Sequence, residues 1–220
     1  MTSLPMRDQV NDELLTPKNS ALIIIDYQPV QVQSIGSMDR PLLVNNIVGM
    51  AKIALAYDVP IMLSTVNVKT GLNRETIPQL RSVLAGLPSY DRTTINAWED
   101  REFLEAVEDT GRKKLLMTAL WTEACLTFPS LDAMREGYEV YPVVDAVGGT
   151  SAEAHRTALE RLVQKGAHPV TWNQVLCELQ RDWSRTDTRQ KFIQLFIEIG
   201  GTAGLQFTFD VAEKAAKAAG

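Results

Sequence analysis

Short apolar runs alternate along the chain with stretches in which apolar residues recur at helical spacing. The runs read as strands are residues 21–26 (ALIIID), 60–66 (PIMLSTV), a weak one at 89–93 (SYDRT), 114–120 (KLLMTAL), 139–146 (EVYPVVDA) and 168–172 (HPVTW). The first and fourth are almost continuously apolar, as strands become when both faces of a parallel sheet are covered. Between the runs, the periodicity predicts helices over 41–57, 76–85, 99–109, 123–136, 151–165 and 173–183. Gly137 and Gly166 stand just past two of these, where a left-handed cap is expected. Thr150-Ser-Ala-Glu153 reads as a capping box opening the helix before Gly166.

Strands alternating with helices of this length imply right-handed crossovers, hence an α/β fold with an open, doubly wound, mostly parallel sheet of six strands. Residues 19–185 form the expected domain, preceded by an N-terminal extension at 1–18. The segment 186–220 is a helical extension with apolar residues beyond the last crossover. Two readings of it stand: a helix packed on the domain, or a contact with a neighbouring subunit.

Composition narrows the function classes. The chain has 220 residues, 45% of them hydrophobic and 22% charged, with a formal net charge of −5, which fits an ordinary globular domain able to bury a sizeable core. No Lys/Arg cluster stands out, which argues against a nucleic-acid or membrane-surface partner. No apolar run approaches the roughly 20 residues of a membrane span, and the polar start does not look like a signal peptide. The two cysteines, Cys125 and Cys177, are far apart, so reduced thiols and a cytoplasmic setting are expected.

Ligands of open α/β sheets bind beyond the carboxyl ends of the strands. Three residues fall there. Asp26 ends the first run after three isoleucines, and a carboxylate so placed must be paired: it is either a structural cap of the next turn or a base. Arg92 lies at or just past the weak third strand. Cys125 follows the fourth strand near a helix start, where free N–H groups would lower a thiol pKa and could hold an oxyanion. Its alternative reading is a small buried apolar residue. Pro129 fits only a first turn, so the regular helix should begin a few residues after Thr122. Cys177 has apolar neighbours at core spacing and reads as structural. His155 and His168 are the only histidines and have no partners at metal-ligand spacing, so no metal site is expected. DYQPVQVQ replaces a Gly-rich loop after the first strand, which disfavours dinucleotide and phosphate-loop chemistry. With no histidine well placed, the base for a thiol would have to be Asp26.

Three segments in this order, ALIIIDYQ, DRTTINAWED and TALWTEACLTFP, resemble the isochorismatase-like cysteine hydrolases. INAWED, TEAC, VYPVVDA and TWNQVLCELQRDW look most like the YcaC-related branch, and the resemblance covers residues 18–185. It implies a three-layer α/β/α fold, no cofactor, a homo-oligomer, and an Asp–Lys–Cys triad that cleaves a small molecule through an acyl-enzyme. Carried over, Asp26 is the base and Cys125 the nucleophile. A cis peptide is implied at Leu120–Trp121, with the N–H groups of Trp121 and Cys125 as oxyanion donors. Arg92 stands where the family has its lysine; it can fix charge but cannot exchange a proton. Trp121, where the family often has a smaller residue, either narrows the pocket or simply packs. Asn96 either holds a loop or hydrogen-bonds the small-molecule substrate, and Trp98 is placed in the same cleft. An amide-type C–N bond is the expected target. A vinyl-ether hydrolase of isochorismate type, or a non-catalytic thiol-sensing or assembly protein on the same fold, are the alternatives.

Overall fold

Ile23 and Ile25 point to one side of the first apolar run, and Leu22 and Ile24 to the other, yet all four are fully buried. Alternating side chains can do this only if both faces of the sheet are covered. In the computed structural model, which describes Leu4 and residues 8–219, they are. The strands are β1 (Ser20–Ile25), β2 (Ile61–Val66), β3 (Ser89–Arg92), β4 (Lys114–Ala119) and β5 (Glu139–Pro142). They form one sheet in the order β3-β2-β1-β4-β5, with every pairing parallel.

The helices are α1 (Pro29–Gln33), α2 (Arg40–Ala56), α3 (Pro78–Val83), α4 (Arg101–Asp109), α5 (Thr127–Arg135), α6 (Ala152–Gln164), α7 (Trp172–Gln180), α8 (Thr186–Ile199) and α9 (Gly201–Ala219). Leu22, Ile24, Leu63 and Leu116 pack against α2, α7 and α8 through Leu43, Ile47, Leu176 and Phe196. Ile23, Ile25, Leu115 and Met117 pack against α4, α5 and α6 through Phe103, Val107, Ala133 and Leu162. The result is the three-layer α/β/α arrangement.

The sheet has five strands, not the six expected. Segment 168–172 does run beside β5, with His168 N–H donating to Val140 O (2.8 Å) and Val170 N–H to Pro142 O (2.9 Å). Only an isolated Val143–Val170 bridge results. Pro142 has no N–H to return to this neighbour, so the ladder lacks a rung. Gly137 and Gly166 have φ of 84° and 101°, the left-handed caps expected of them. The capping box at Thr150 is displaced: Ser151 is the N-cap, its Oγ accepting from Ala154 N–H at 3.1 Å. Cys177 lies exposed on α7, off the buried line of Val175, Leu176 and Leu179, and is not the structural core residue expected.

Residues 1–3 and 5–7 of the expected N-terminal extension lie outside the described residues, as does Gly220. Later in that extension, Leu15 is fully buried and Asp12 pairs with Arg181 of the loop after α7. In the C-terminal segment, α8 is a core helix, with Phe192, Leu195 and Phe196 buried. Helix α9 packs through Phe207 onto Phe192, Phe196 and Trp183, while Leu205 and Phe209 stay exposed.

The loop from β1 meets the loop after β5 at a close approach. Gly36 and Ser37 N–H groups both donate to Gly149 O, at 3.0 and 3.3 Å. A Cβ on Gly36 would lie 2.5 Å from Thr150 O, a backbone atom that cannot swing aside. Gly36→Ala should therefore destabilise the fold by about 2 kcal/mol, lowering the melting temperature by about 6 °C; an unchanged calorimetric midpoint would show that the two loops are not tightly apposed.

Candidate active site

Strand order reverses direction at β1, from which the chain builds outward through β2 to β3 on one side and through β4 to β5 on the other. Loops leaving the carboxyl ends of β1 and β4 therefore diverge, and the gap between them is where open α/β sheets bind ligands. Asp26 leaves β1 and Cys125 follows β4.

Asp26 turns sharply as the strand ends. It adopts φ of 63°, a conformation Asp tolerates better than most residues, and its N–H donates to Ser64 O on β2 at 3.0 Å. The side chain is fully buried, and it is not a turn cap: both carboxylate oxygens accept from Arg92. Nη1 donates to Oδ1 at 2.8 Å and Nη2 to Oδ2 at 2.7 Å, a bidentate pair with both side chains inaccessible to solvent. Arg92 ends β3, two strands from β1, in register with Val66. Its guanidinium reaches across the end of β2, where Nη1 also donates to Ser64 Oγ (3.1 Å) and Thr65 O (3.0 Å). Nη2 donates to Ile95 O at 3.2 Å. Burial works against the charge of Arg92, but the bond to Asp26 and its charge outweigh this and raise the guanidinium pKa. Ser64 has no counterpart among the residues expected at the site; the polar pair Ser64-Thr65 interrupting an otherwise apolar strand is the available signal.

The Leu120–Trp121 peptide is cis. Thr122–Leu126 then makes a single π-helical turn, with Trp121 O accepting from Leu126 N–H at 3.1 Å. Regular α-helix starts only at Thr127, which puts Pro129 in the first turn of α5 as its missing N–H requires. Cys125 sits in the π turn and is 8% exposed. Burial, then the charge of Asp26 and a hydrogen bond to it, push the thiol up to about 12, while Arg92 and the Trp121 N–H act in the opposite sense. The depressed thiol expected at a helix N-terminus is thus not found. Asp26 lies closer in effect than any cation, and Arg92 commits its two terminal nitrogens to Asp26.

The two residues expected to line the cleft beside Trp121 are occupied elsewhere. Asn96 Oδ1 accepts from Trp98 N–H (3.1 Å) and its Nδ2 donates to Asp132 Oδ2 on α5 (2.7 Å), bonds that hold its loop. Trp98 is buried edge-on to Phe103 and Tyr138, its Nε1 donating to Glu136 Oε2 at 2.9 Å. Both belong to the α4–α5 layer. Trp121 is the exception: it is part-exposed, and its indole Nε1 donates to Ser34 Oγ at 2.6 Å, spanning from β4 to the end of α1. Among the described residues, no group of three or more His, Cys, Asp or Glu converges as a metal-holding set.

The isochorismatase domain model matches residues 20–174. Over 170 residues, 77% of this chain and 81% of the other, the sequence is 34% identical to the probable hydrolase YcaC of Escherichia coli strain K12. The chain belongs to the isochorismatase family. Its relationship is with the YcaC-like branch. The solved E. coli YcaC, described as an octameric hydrolase of unknown specificity, superposes with a TM-score of 0.83 at 30% identity, over 91% of this chain and 98% of that one. YcaC from Pseudomonas aeruginosa, solved with hexane-2,5-diol and covalent acrylamide, gives 0.84 at 27% identity over 92% and 98%. Nicotinamidase PncA from Bacillus subtilis, 16% identical with a TM-score of 0.59, shares the fold.

Asn96→Ala should cost about 1–2 kcal/mol of stability, because it removes both an N-cap and a buried tie to α5. Urea titration of the variant measures this; a loss near zero would return Asn96 to the list of residues free to bind substrate.

Proposed function

We propose that this YcaC-like protein is a cysteine hydrolase of a small uncharged molecule, cleaving an amide-type C–N bond through a covalent intermediate on Cys125. The observation that carries this reading is the meeting of Asp26, Arg92 and Cys125 at the β1–β4 gap, with the thiol coupled to the carboxylate by charge and hydrogen bond. The family relationship supports it, as does the covalent acrylamide in the Pseudomonas relative.

Because the thiol is neutral at pH 7, attack needs a base at the moment the bond forms, and Asp26 is the carboxylate whose charge acts on it. The thiol proton passes to Asp26 as sulfur bonds the carbonyl carbon. The carbonyl oxygen becomes an oxyanion held by the N–H groups of Trp121 and Cys125. Collapse breaks the C–N bond, and Asp26 returns its proton to the leaving nitrogen. Water then attacks the thioester, giving one proton to Asp26, and that proton restores the thiol as the acid departs. Arg92 moves no proton in this scheme. Its bidentate grip fixes the orientation of Asp26 and keeps a countercharge beside it throughout.

The saturation of Asp26 by Arg92 favours a second reading, a thiol-sensing protein on the same fold whose Asp26 is too firmly held to act as a base. Two further proposals go with the main reading. Exposed Leu205, Phe209 and Val211 on α9 support an assembly of copies of this chain, and a relative is described as octameric. Two free cysteines support a reducing, cytoplasmic setting. No helix among the described residues is long and apolar enough to cross a membrane.

Intact-mass analysis with acrylamide and a panel of small primary amides tests the choice. A single adduct mapping to Cys125, with turnover abolished by Cys125→Ala, is expected; turnover that survives Cys125→Ala would end the covalent reading. The pH dependence is distinctive. With the folded-state value above the ordinary thiol range, alkylation of Cys125 should climb about tenfold per pH unit from about pH 7 to 10 without levelling off. Asp26→Asn removes the carboxylate that holds the thiol neutral and leaves Arg92 unpaired beside it. Alkylation should then level off at lower pH while amide turnover falls roughly 100-fold. A profile identical to the parent protein's would mean that Asp26 and Cys125 do not interact.

A further inference from the structure

The turn that carries Cys125 is held by a second set of side chains, which includes neither Asp26 nor Arg92. Thr122 is fully buried, and three of its groups are bonded. Its N–H donates to Gly148 O at 2.9 Å, its carbonyl accepts from Thr127 Oγ1 at 2.6 Å, and its Oγ1 lies 2.8 Å from His155 Nδ1. The next residue, Glu123, is tied to the same region: Thr150 N–H and Oγ1 donate to its Oε1 at 3.0 and 2.5 Å. His155 stands in the first turn of α6, a helix anchored by the Ser151 cap. Gly149 lets these pieces close, since a Cβ there would lie 2.7 Å from Glu123 Oε2 and 3.0 Å from His155 N.

Burial lowers the proton affinity of His155, with the charge of Glu123 opposing, so the ring is neutral near pH 7. A neutral imidazole can accept the Thr122 hydroxyl proton at Nδ1. The bond is made one residue after Trp121, whose N–H favours the Cys125 thiolate.

We propose that Thr122 and His155 are positioning residues for the nucleophile: their hydrogen bond locks the 121–125 turn so that the Trp121 N–H stays directed at the Cys125 sulfur. Neither residue touches the reacting atoms. The inference rests on Cys125 being the nucleophile of the proposed function, and is independent of Asp26 being its base.

The test measures the second-order rate of Cys125 alkylation by iodoacetamide between about pH 7 and 10, with exposed Cys177 as an internal reference and the melting temperature as a check on folding. Thr122→Val, which keeps the shape and loses the hydroxyl, should slow Cys125 about tenfold, the scale of one hydrogen bond. His155→Leu should do the same, and the double variant should be no slower than either. Thr122→Ser and His155→Asn, which retain a hydroxyl or a polar atom near the Nδ1 position, should come within about twofold of the parent rate. Cys177 should be indifferent to all of them. Folded Thr122→Val and His155→Leu proteins labelled at the parent rate would overturn the proposal, as would additive losses in the double variant or no rescue by Ser and Asn. Should Thr122→Val not fold, the half-buried His155 pair of variants carries the decision alone. An Asp26→Asn sample run in parallel keeps the two readings apart: an unchanged profile there, beside slowed Thr122→Val, removes the proposed base and leaves the clamp standing.

Discussion

A buried guanidinium and a buried carboxylate, joined by two parallel hydrogen bonds across the end of a strand that contributes neither, fix the geometry of this site. Neither Asp26 nor Arg92 could be buried alone, since an isolated ion in so dry a place would be strongly disfavoured. Together they form a unit whose terminal guanidinium nitrogens are further bonded to Ser64 Oγ, Thr65 O and Ile95 O, while the buried Nε has no partner among the described residues. The pair ties the ends of β1, β2 and β3 into one rigid platform. Cys125, arriving from β4, completes it. An ion pair of this kind is weak evidence for stability as such, because apolar residues can often replace one without loss. Its value is in orientation, which apolar packing cannot give to a carboxylate.

That platform also decides the resting state of the thiol. A cation next to a cysteine ordinarily favours the thiolate, and a first reading of Arg92 beside Cys125 would place the sulfur among the ionised, reactive thiols. Arg92, however, has both terminal nitrogens on Asp26, and the charge nearest the sulfur in effect is negative. Desolvation adds to this. The outcome is a thiol that rests protonated near a carboxylate, which suits the proposed chemistry, in which proton transfer and bond formation occur together. In the proposed mechanism, an arginine where the family has its lysine suits a positioning role, because the cation stays charged while the carboxylate carries the proton.

The central strands are legible because they are almost continuously apolar, and Asp26 stands out as the first polar residue after three isoleucines. Arg92 is less so, because it closes the short, polar run SYDR. HPVTW has the composition of a sixth strand, but pairing depends on the neighbour, and Pro142 in β5 withholds a donor. Cys177 has apolar neighbours in sequence, but they lie on a different face of α7, so it is exposed. The quiet partners of the site, Ser64, Thr122 and His155, carry ordinary residue types at unremarkable spacing. His155 lies 33 positions from Thr122 in the chain, and no local pattern joins them.

Period and composition by themselves determined the alternation of strands and helices, the covered parallel sheet, the left-handed caps at Gly137 and Gly166, and the late start of the helix containing Pro129. These are local properties, set by side-chain spacing and by which backbone angles a residue tolerates. Tertiary structure alone decided what Asp26 pairs with, that the Cys125 thiol is held neutral, that Asn96 and Trp98 bond to α5, and that His155 of α6 bonds to Thr122 in the turn carrying Cys125. Each of these depends on distances between segments remote in sequence, and electrostatics and hydrogen bonding in a buried site are governed by those distances rather than by residue identity.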